Sequence, residues 1–177
     1  MIKSFSALYA GHVLEGEDIG FAGTPHDDRW YPNERLIEVF DIAKEAAIFM
    51  DELGYDVLWM AEHHFHWDGW YRASPNPILL GADLVNESSH LRVGQCGTIL
   101  PDWNPIRVAE DIALLDQLTR GRVDFGVARG LNSRCTIQFS PEADRRNELV
   151  NRALFKEVLD IVLEAWTQES FSYQGEF

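Results

Sequence analysis

The chain repeats one phrase. Three times, a stretch of helical periodicity runs through a Gly-marked turn into a short strand rich in β-branched or aromatic residues, and then into a loop. The strands begin near Asp56, Leu91 and Val123, 35 and 32 residues apart. That interval matches the roughly 30 residues of a βαβ unit, in which a crossover helix carries the chain back to start a parallel neighbour. The spacing predicts an α/β fold with a parallel sheet. An N-terminal strand brings the count to four, near Ile2 to Leu8, Tyr55 to Ala61, Leu91 to Ile99 and Val123 to Ala128. Four βα units are half of a barrel, and 177 residues fall below the roughly 250 typical of a complete one.

Local signals bound the helices. Asn33 precedes Leu36, Phe40, Ala43, Ala47 and Met50 at steps of three or four, and Gly54 closes that helix. Asn76-Pro77 and Asn104-Pro105 each set a capping side chain before a Pro at the first helical position. Ser140-Pro141 reads as a third such start, opening a helix striped by Val150, Leu154, Val158, Ile161 and Ala165 and ending near Trp166. Ser170 to Phe177 alternates like one arm of a hairpin.

Composition excludes several classes. With 46% apolar and 25% charged residues the chain reads as an ordinary soluble globular domain. The longest run free of Asp, Glu, Lys and Arg is Ser4 to Leu14, too short for a bilayer span. A net charge of −14 without a basic block argues against nucleic acid or an anionic membrane as partner. Two cysteines, Cys96 and Cys135, suit a reducing cytosol, and the N-terminus is a poor signal peptide, so a cytoplasmic location is expected.

Parallel α/β folds build their sites from loops leaving the carboxyl ends of strands. Four of the six tryptophans, Trp30, Trp67, Trp70 and Trp103, lie in those loops with Tyr31 and Tyr71. They either line the mouth of a site for a flat cofactor or apolar substrate, or pin long loops down. The second strand ends in Glu62-His63-His64-Phe65-His66, the densest titratable cluster in the chain. Histidine moves protons near neutral pH. Alternation along extended backbone sends His63 one way and Glu62 and His64 the other, with one imidazole expected to be structural. His64 and His66 share a side, the pairing used by amidohydrolase-like metal sites, although His12, His26 and His90 show no partner pattern. The fourth strand runs into Arg129-Gly130, where a guanidinium fork can face a phosphate or pair with a carboxylate. Gly-x-Gly-x-x-Gly, P-loop and Gly-x-Ser-x-Gly motifs are all missing from the sequence.

Three blocks in register resemble the bacterial luciferase-like, flavin-dependent monooxygenase family. They are Gly54-Tyr55-Asp56-Val57-Leu58-Trp59 into Glu62-His63-His64-Phe65; Arg92-Val93-Gly94 through Leu100-Pro101 and Asn104-Pro105-Ile106-Arg107 to Ala109-Glu110-Asp111; and Leu115-Asp116-Gln117-Leu118 through Gly121-Arg122 to Phe125-Gly126-Val127-Ala128-Arg129-Gly130. The resemblance covers the whole chain and about the N-terminal half of a family member. It implies a TIM (β/α)8 barrel of which residues 1–177 supply about the first four βα units as a single domain truncated at its C-terminus.

The resemblance also implies chemistry: reduced FMN, supplied by a separate NAD(P)H flavin reductase, and O2 as co-substrate oxygenate a small apolar aldehyde, ketone or alkane-like molecule. By position, His63 is the implied catalytic histidine. Glu62 stands beside it at the cofactor. Arg129 and Arg152 are the implied phosphate ligands, and Cys96-Gly97 falls where the family often places a non-prolyl cis peptide under the flavin. Ala128 stands where light-emitting members have a reactive Cys. Four parallel strands leave two open sheet edges to be covered by another copy, another chain or the rest of a barrel, and a homo- or hetero-dimer is expected. Alternatives are a non-catalytic flavin-binding or assembly fragment, a deazaflavin in place of FMN, and a metal-dependent hydrolase using His64 and His66.

Overall fold

The computed structural model describes residues 3–11, 33–64, 74–131 and 133–177. In chain order the elements are β1 (Ser6–Tyr9), α1 (Asn33–Glu52), β2 (Val57–Met60), α2 (Pro77–Leu84), β3 (Arg92–Gln95), β4 (Thr98–Ile99), α3 (Pro105–Thr119), β5 (Val123–Asp124), β6 (Val127–Ala128), α4 (Ser133–Thr136) and α5 (Glu148–Thr167). A parallel sheet runs β1-β2-β3-β5, and β4 pairs in parallel with β6. The βαβ spacing therefore has the expected consequence, a parallel sheet crossed by helices.

The capping pairs act where the sequence puts them. Asn76 accepts from the Leu79 N–H at 2.9 Å, and Asn104 accepts from the N–H groups of Ile106 and Arg107 at 3.0 and 3.2 Å. Each satisfies donors that a helix start leaves without partners. Gly54 adopts φ +74°, the left-handed conformation that ends α1.

Two apolar layers result. Ala43, Ala47 and Met50 of α1 and Leu80 and Leu84 of α2 pack on Leu58, Met60 and Val93 of the sheet. Val108, Ile112 and Leu115 of α3 pack with Leu154, Val158 and Val162 of α5 around Leu100. Arg92 fastens the sheet's far side, donating to both carboxylate oxygens of Asp124 at 2.8 and 3.0 Å and to the carbonyls of Gly121 and Val123.

Three expectations are corrected. The third and fourth strands, expected as Leu91 to Ile99 and Val123 to Ala128, each break in two. At Gly126 a Cβ would stand 2.0 Å from the Gln95 carbonyl oxygen, and at Gly97 one would stand 2.8 Å from the Val127 carbonyl carbon. The backbones approach too closely there for a regular ladder, which a Gly permits. Ser140-Pro141 opens only a 3₁₀ turn, Pro141–Ala143, and the long helix starts at Glu148. Asp144 interrupts it, because its carboxylate accepts from the Arg146 N–H at 2.9 Å and holds a side-chain turn instead. The fully buried stripe of α5 is consequently Asn151, Leu154, Val158 and Val162, with Val150, Ile161 and Ala165 only half-buried. Finally, residues 170–177 form no strand. The N–H groups of Glu176 and Phe177 donate to the Glu157 carboxylate at 2.7 and 3.1 Å, so a side chain takes the place of a hairpin partner.

Candidate functional site

The carboxyl ends of β2, β4 and β6 lie side by side. Cys96 donates its N–H to the carbonyl of Met60 at 2.7 Å, and Thr98 donates to the Gly126 carbonyl at 2.8 Å, so the Cys96–Gly97 bond sits between the carboxyl end of β2 and the start of β6. That bond is cis, and the Cys96 side chain is exposed.

Immediately after β2, Glu62 is buried and fully engaged. One carboxylate oxygen accepts from the Ile99 N–H at 2.9 Å; the other accepts from the Trp103 indole N–H and from His64 Nε2, both at 2.8 Å. Its oxygens are committed to protein donors, which makes it an organiser of the strand ends. His64 shares its side, as alternation requires, and packs edge-on against Phe139 with ring centroids 4.7 Å apart. The His64 carbonyl accepts from the Cys135 thiol at 2.8 Å. The His64 imidazole is thus engaged by Glu62 and Phe139. His63 is half-buried, its backbone N–H donating to the Ser74 carbonyl at 2.9 Å.

Asp102 joins this cluster without any motif to announce it. Both of its carboxylate oxygens are sealed from solvent and have no hydrogen-bond partner among the described residues. Burial, reinforced by the charge of Glu62, pushes its carboxyl up to about 7. Ligand atoms of Glu62, His64 and Asp102 lie within 4.8 Å of one another, a donor set of the kind that divalent metals use. Glu62's existing hydrogen bonds compete with that use. His66, His12, His26, Trp30, Tyr31, Trp67, Trp70 and Tyr71 lie outside the described residues. His90 sits away from this cluster, 3.1 Å from Asp51 in the turn before β3.

The two arginines meet on one carboxylate. Arg152 donates through Nε and Nη2 to Glu148 Oε1 at 3.1 and 2.8 Å, and Arg129 Nη2 lies 3.5 Å from the same oxygen. Arg152, with Arg129 and Arg145 adding to it, holds the Glu148 carboxyl below the usual range. The other terminal nitrogen of Arg129, Nη1, is buried and has no hydrogen-bond partner among the described residues. Asn151, fully buried, fixes this corner: its amide donates to the carbonyls of Arg129 and Ala143 at 3.2 and 2.9 Å and accepts from Arg145 at 3.0 Å. Helix α5 begins here with no side chain capping it.

Sequence reasoning missed Glu148, Asn151 and Asp102. The Glu148–Arg152 pair has helical i,i+4 spacing and could have been read as such. Asn151 and Asp102 carry no sequence signal beyond being polar in apolar surroundings.

The sequence model of the luciferase-like monooxygenase family matches residues 19–177. The alkanal monooxygenase alpha chain of Photorhabdus luminescens is 38% identical over 119 residues, 67% of this chain and 32% of the relative. The oxygenase component of a flavin-dependent trigonelline monooxygenase from Acinetobacter baylyi is 33% identical over 108 residues, 61% of this chain and 29% of the relative. Among solved structures, the oxygenating constituent of 3,6-diketocamphane monooxygenase from Pseudomonas putida, in complex with FMN, superposes with a TM-score of 0.75 at 20% identity over 99% of this chain and 42% of that one. The superposition places this chain's α/β architecture with its parallel sheet in the fold of that structure. The chain belongs to the luciferase-like monooxygenase family. It spans about a third of the length of these curated relatives. Among the described residues, no helix is long and apolar enough to cross a membrane.

Proposed function

We propose that the chain supplies the flavin-binding portion of an FMN-dependent monooxygenase, with Arg129 and Arg152 holding the cofactor phosphate at the start of α5. The observation that carries this reading is the convergence of both arginines on one anion, with a buried guanidinium nitrogen of Arg129 left without a hydrogen-bond partner among the described residues. A phosphate offers three oxygens to that group, and the uncapped N-terminus of α5 favours negative charge. The residues fit the group. An overall charge of −14 is no obstacle, because three guanidinium groups set the local potential.

The remaining roles follow from position. Bound FMN in its reduced form would supply electrons to O2, with a separate NAD(P)H flavin reductase renewing it. Cys96 and Gly97 form the floor between the end of β2 and the start of β6 on which a flat ring can rest, since any Cβ at residue 97 would collide with Val127 of β6. His63 moves a proton at flavin or substrate. Glu62, expected at the cofactor, ties His64, Ile99 and Trp103 together and thereby sets the backbone that carries His63. The substrate is a small apolar aldehyde, ketone or alkane-like molecule. The parallel order β1-β2-β3-β5 supports placing the chain as the first four βα units of a TIM barrel, working as a homo- or hetero-dimer.

A non-catalytic flavin-binding or assembly role would use the same arginines and differ only in lacking turnover. The test of the binding reading is equilibrium titration with FMN and with riboflavin, which lacks the phosphate. FMN binds more tightly to the unaltered chain, and Arg129→Gln removes that preference. Equal affinity for the two flavins in the unaltered chain would contradict it.

A further inference from the structure

We propose that Glu148 is a built-in occupant of the phosphate cradle, a carboxylate that must leave Arg152 and Arg129 before the cofactor's phosphate can seat. The inference rests on the reading of those arginines as phosphate ligands and adds a regulator to the same site.

The geometry separates fixed from movable parts. Arg129 is three-quarters buried, and its backbone is tied through Asn151 to the turn at Ala143. Glu148 is 57% exposed, in the first turn of α5 and free to swing into water. A single oxygen, Oε1, serves both arginines, at 2.8 Å to Arg152 and 3.5 Å to Arg129. The second distance is beyond a good hydrogen bond, and Arg129 Nη1 has no acceptor among the described residues. A carboxylate anchored to the helix therefore neutralises Arg152 well and Arg129 poorly.

A phosphate dianion has the oxygens and the charge to satisfy both. It can displace the carboxylate, whereas a singly charged anion gains little by the exchange. Glu148 keeps the arginines paired in the absence of ligand and raises the threshold for weaker anions, at some loss of affinity for the correct one.

Flavin fluorescence titrations of the chain decide the matter, with FMN and riboflavin each measured against the unaltered protein, Glu148→Gln and Arg152→Gln, and with circular dichroism showing that α5 is retained. The expected result is that Glu148→Gln tightens FMN by up to about fivefold, the scale of one exposed ion pair, and leaves riboflavin unchanged. Arg152→Gln weakens FMN alone. If Arg152→Gln weakens FMN while Glu148→Gln leaves it unchanged or weakens it too, the phosphate site stands and Glu148 merely aligns the arginines, which overturns this inference. If FMN and riboflavin bind alike throughout, or neither binds, the phosphate reading fails and the inference falls with it.

Discussion

The indole N–H of Trp103 donates to Glu62 at 2.8 Å across 41 residues of sequence, joining the loop after β2 to the turn after β4. Through that bond and those from Ile99 and His64, one buried carboxylate organises the ends of two strands. Glu62→Gln should be costly. An amide presents N–H groups on one side, so at least one of the three donors loses its acceptor. The expected loss is about 2–3 kcal/mol, read in thermal unfolding as a drop of roughly 5–10 °C for a chain of this size. An unchanged melting temperature would contradict the organising role.

Asp102 should impose a pH dependence on stability. Its carboxyl is raised to about 7 in the folded chain, mainly by burial and secondarily by Glu62, against about 3.9 when unfolded. The folded state then holds a proton that the unfolded state has released, so stability falls as pH rises from about 4 through about 7. Asp102→Asn removes that slope and gains about 2 kcal/mol at pH 8, allowing for the partial exposure of the residue. Denaturant titrations at pH 5 and pH 8 check both signs; a variant that keeps the wild-type slope contradicts the assignment.

Asn151 should matter to the arginine corner more than its size suggests. It is fully buried and makes three hydrogen bonds, two of them to the carbonyls of Arg129 and Ala143. Asn151→Ala leaves those groups unpaired at a cost of about 2 kcal/mol and weakens FMN while sparing riboflavin. If both flavins weaken equally, the residue supports the fold and not the phosphate ligands.

How much of this was legible in advance depended on the range of the interactions. Asn76-Pro77 and Asn104-Pro105 announced helix starts because each cap bonds a backbone two or three residues away. Ser140-Pro141 looks the same in sequence, yet Asp144 turns the chain locally and delays the helix to Glu148. The breaks in the third and fourth strands arise from the approach of Gly126 to Gln95 and of Gly97 to Val127, contacts about 30 residues apart that no local pattern reports. The same division holds at the site. Arg129 and His63 stand out in the sequence as a guanidinium at a strand end and a member of the densest titratable cluster, whereas Arg152 and the Cys96-Gly97 pair are implied only by the family resemblance. Asp102 became visible only once the fold enclosed its carboxylate beside Glu62 and His64.

His63 carries the catalytic part of the account. In the protein supplied with FMN, NADH, a flavin reductase and an apolar carbonyl substrate, His63→Ala lowers oxygenated product by about 10²–10⁴-fold, the range of a positioned proton carrier. FMN affinity stays the same. Oxygenation at the wild-type rate would remove His63 from the mechanism.

Phosphorus NMR observes directly the FMN phosphate that the arginine pair at the start of α5 is proposed to hold. On titration with the unaltered chain, the FMN phosphate resonance should shift and broaden, and with Arg129→Gln/Arg152→Gln it should stay at the position of free FMN. A resonance displaced equally by both proteins would place the phosphate elsewhere and contradict the account.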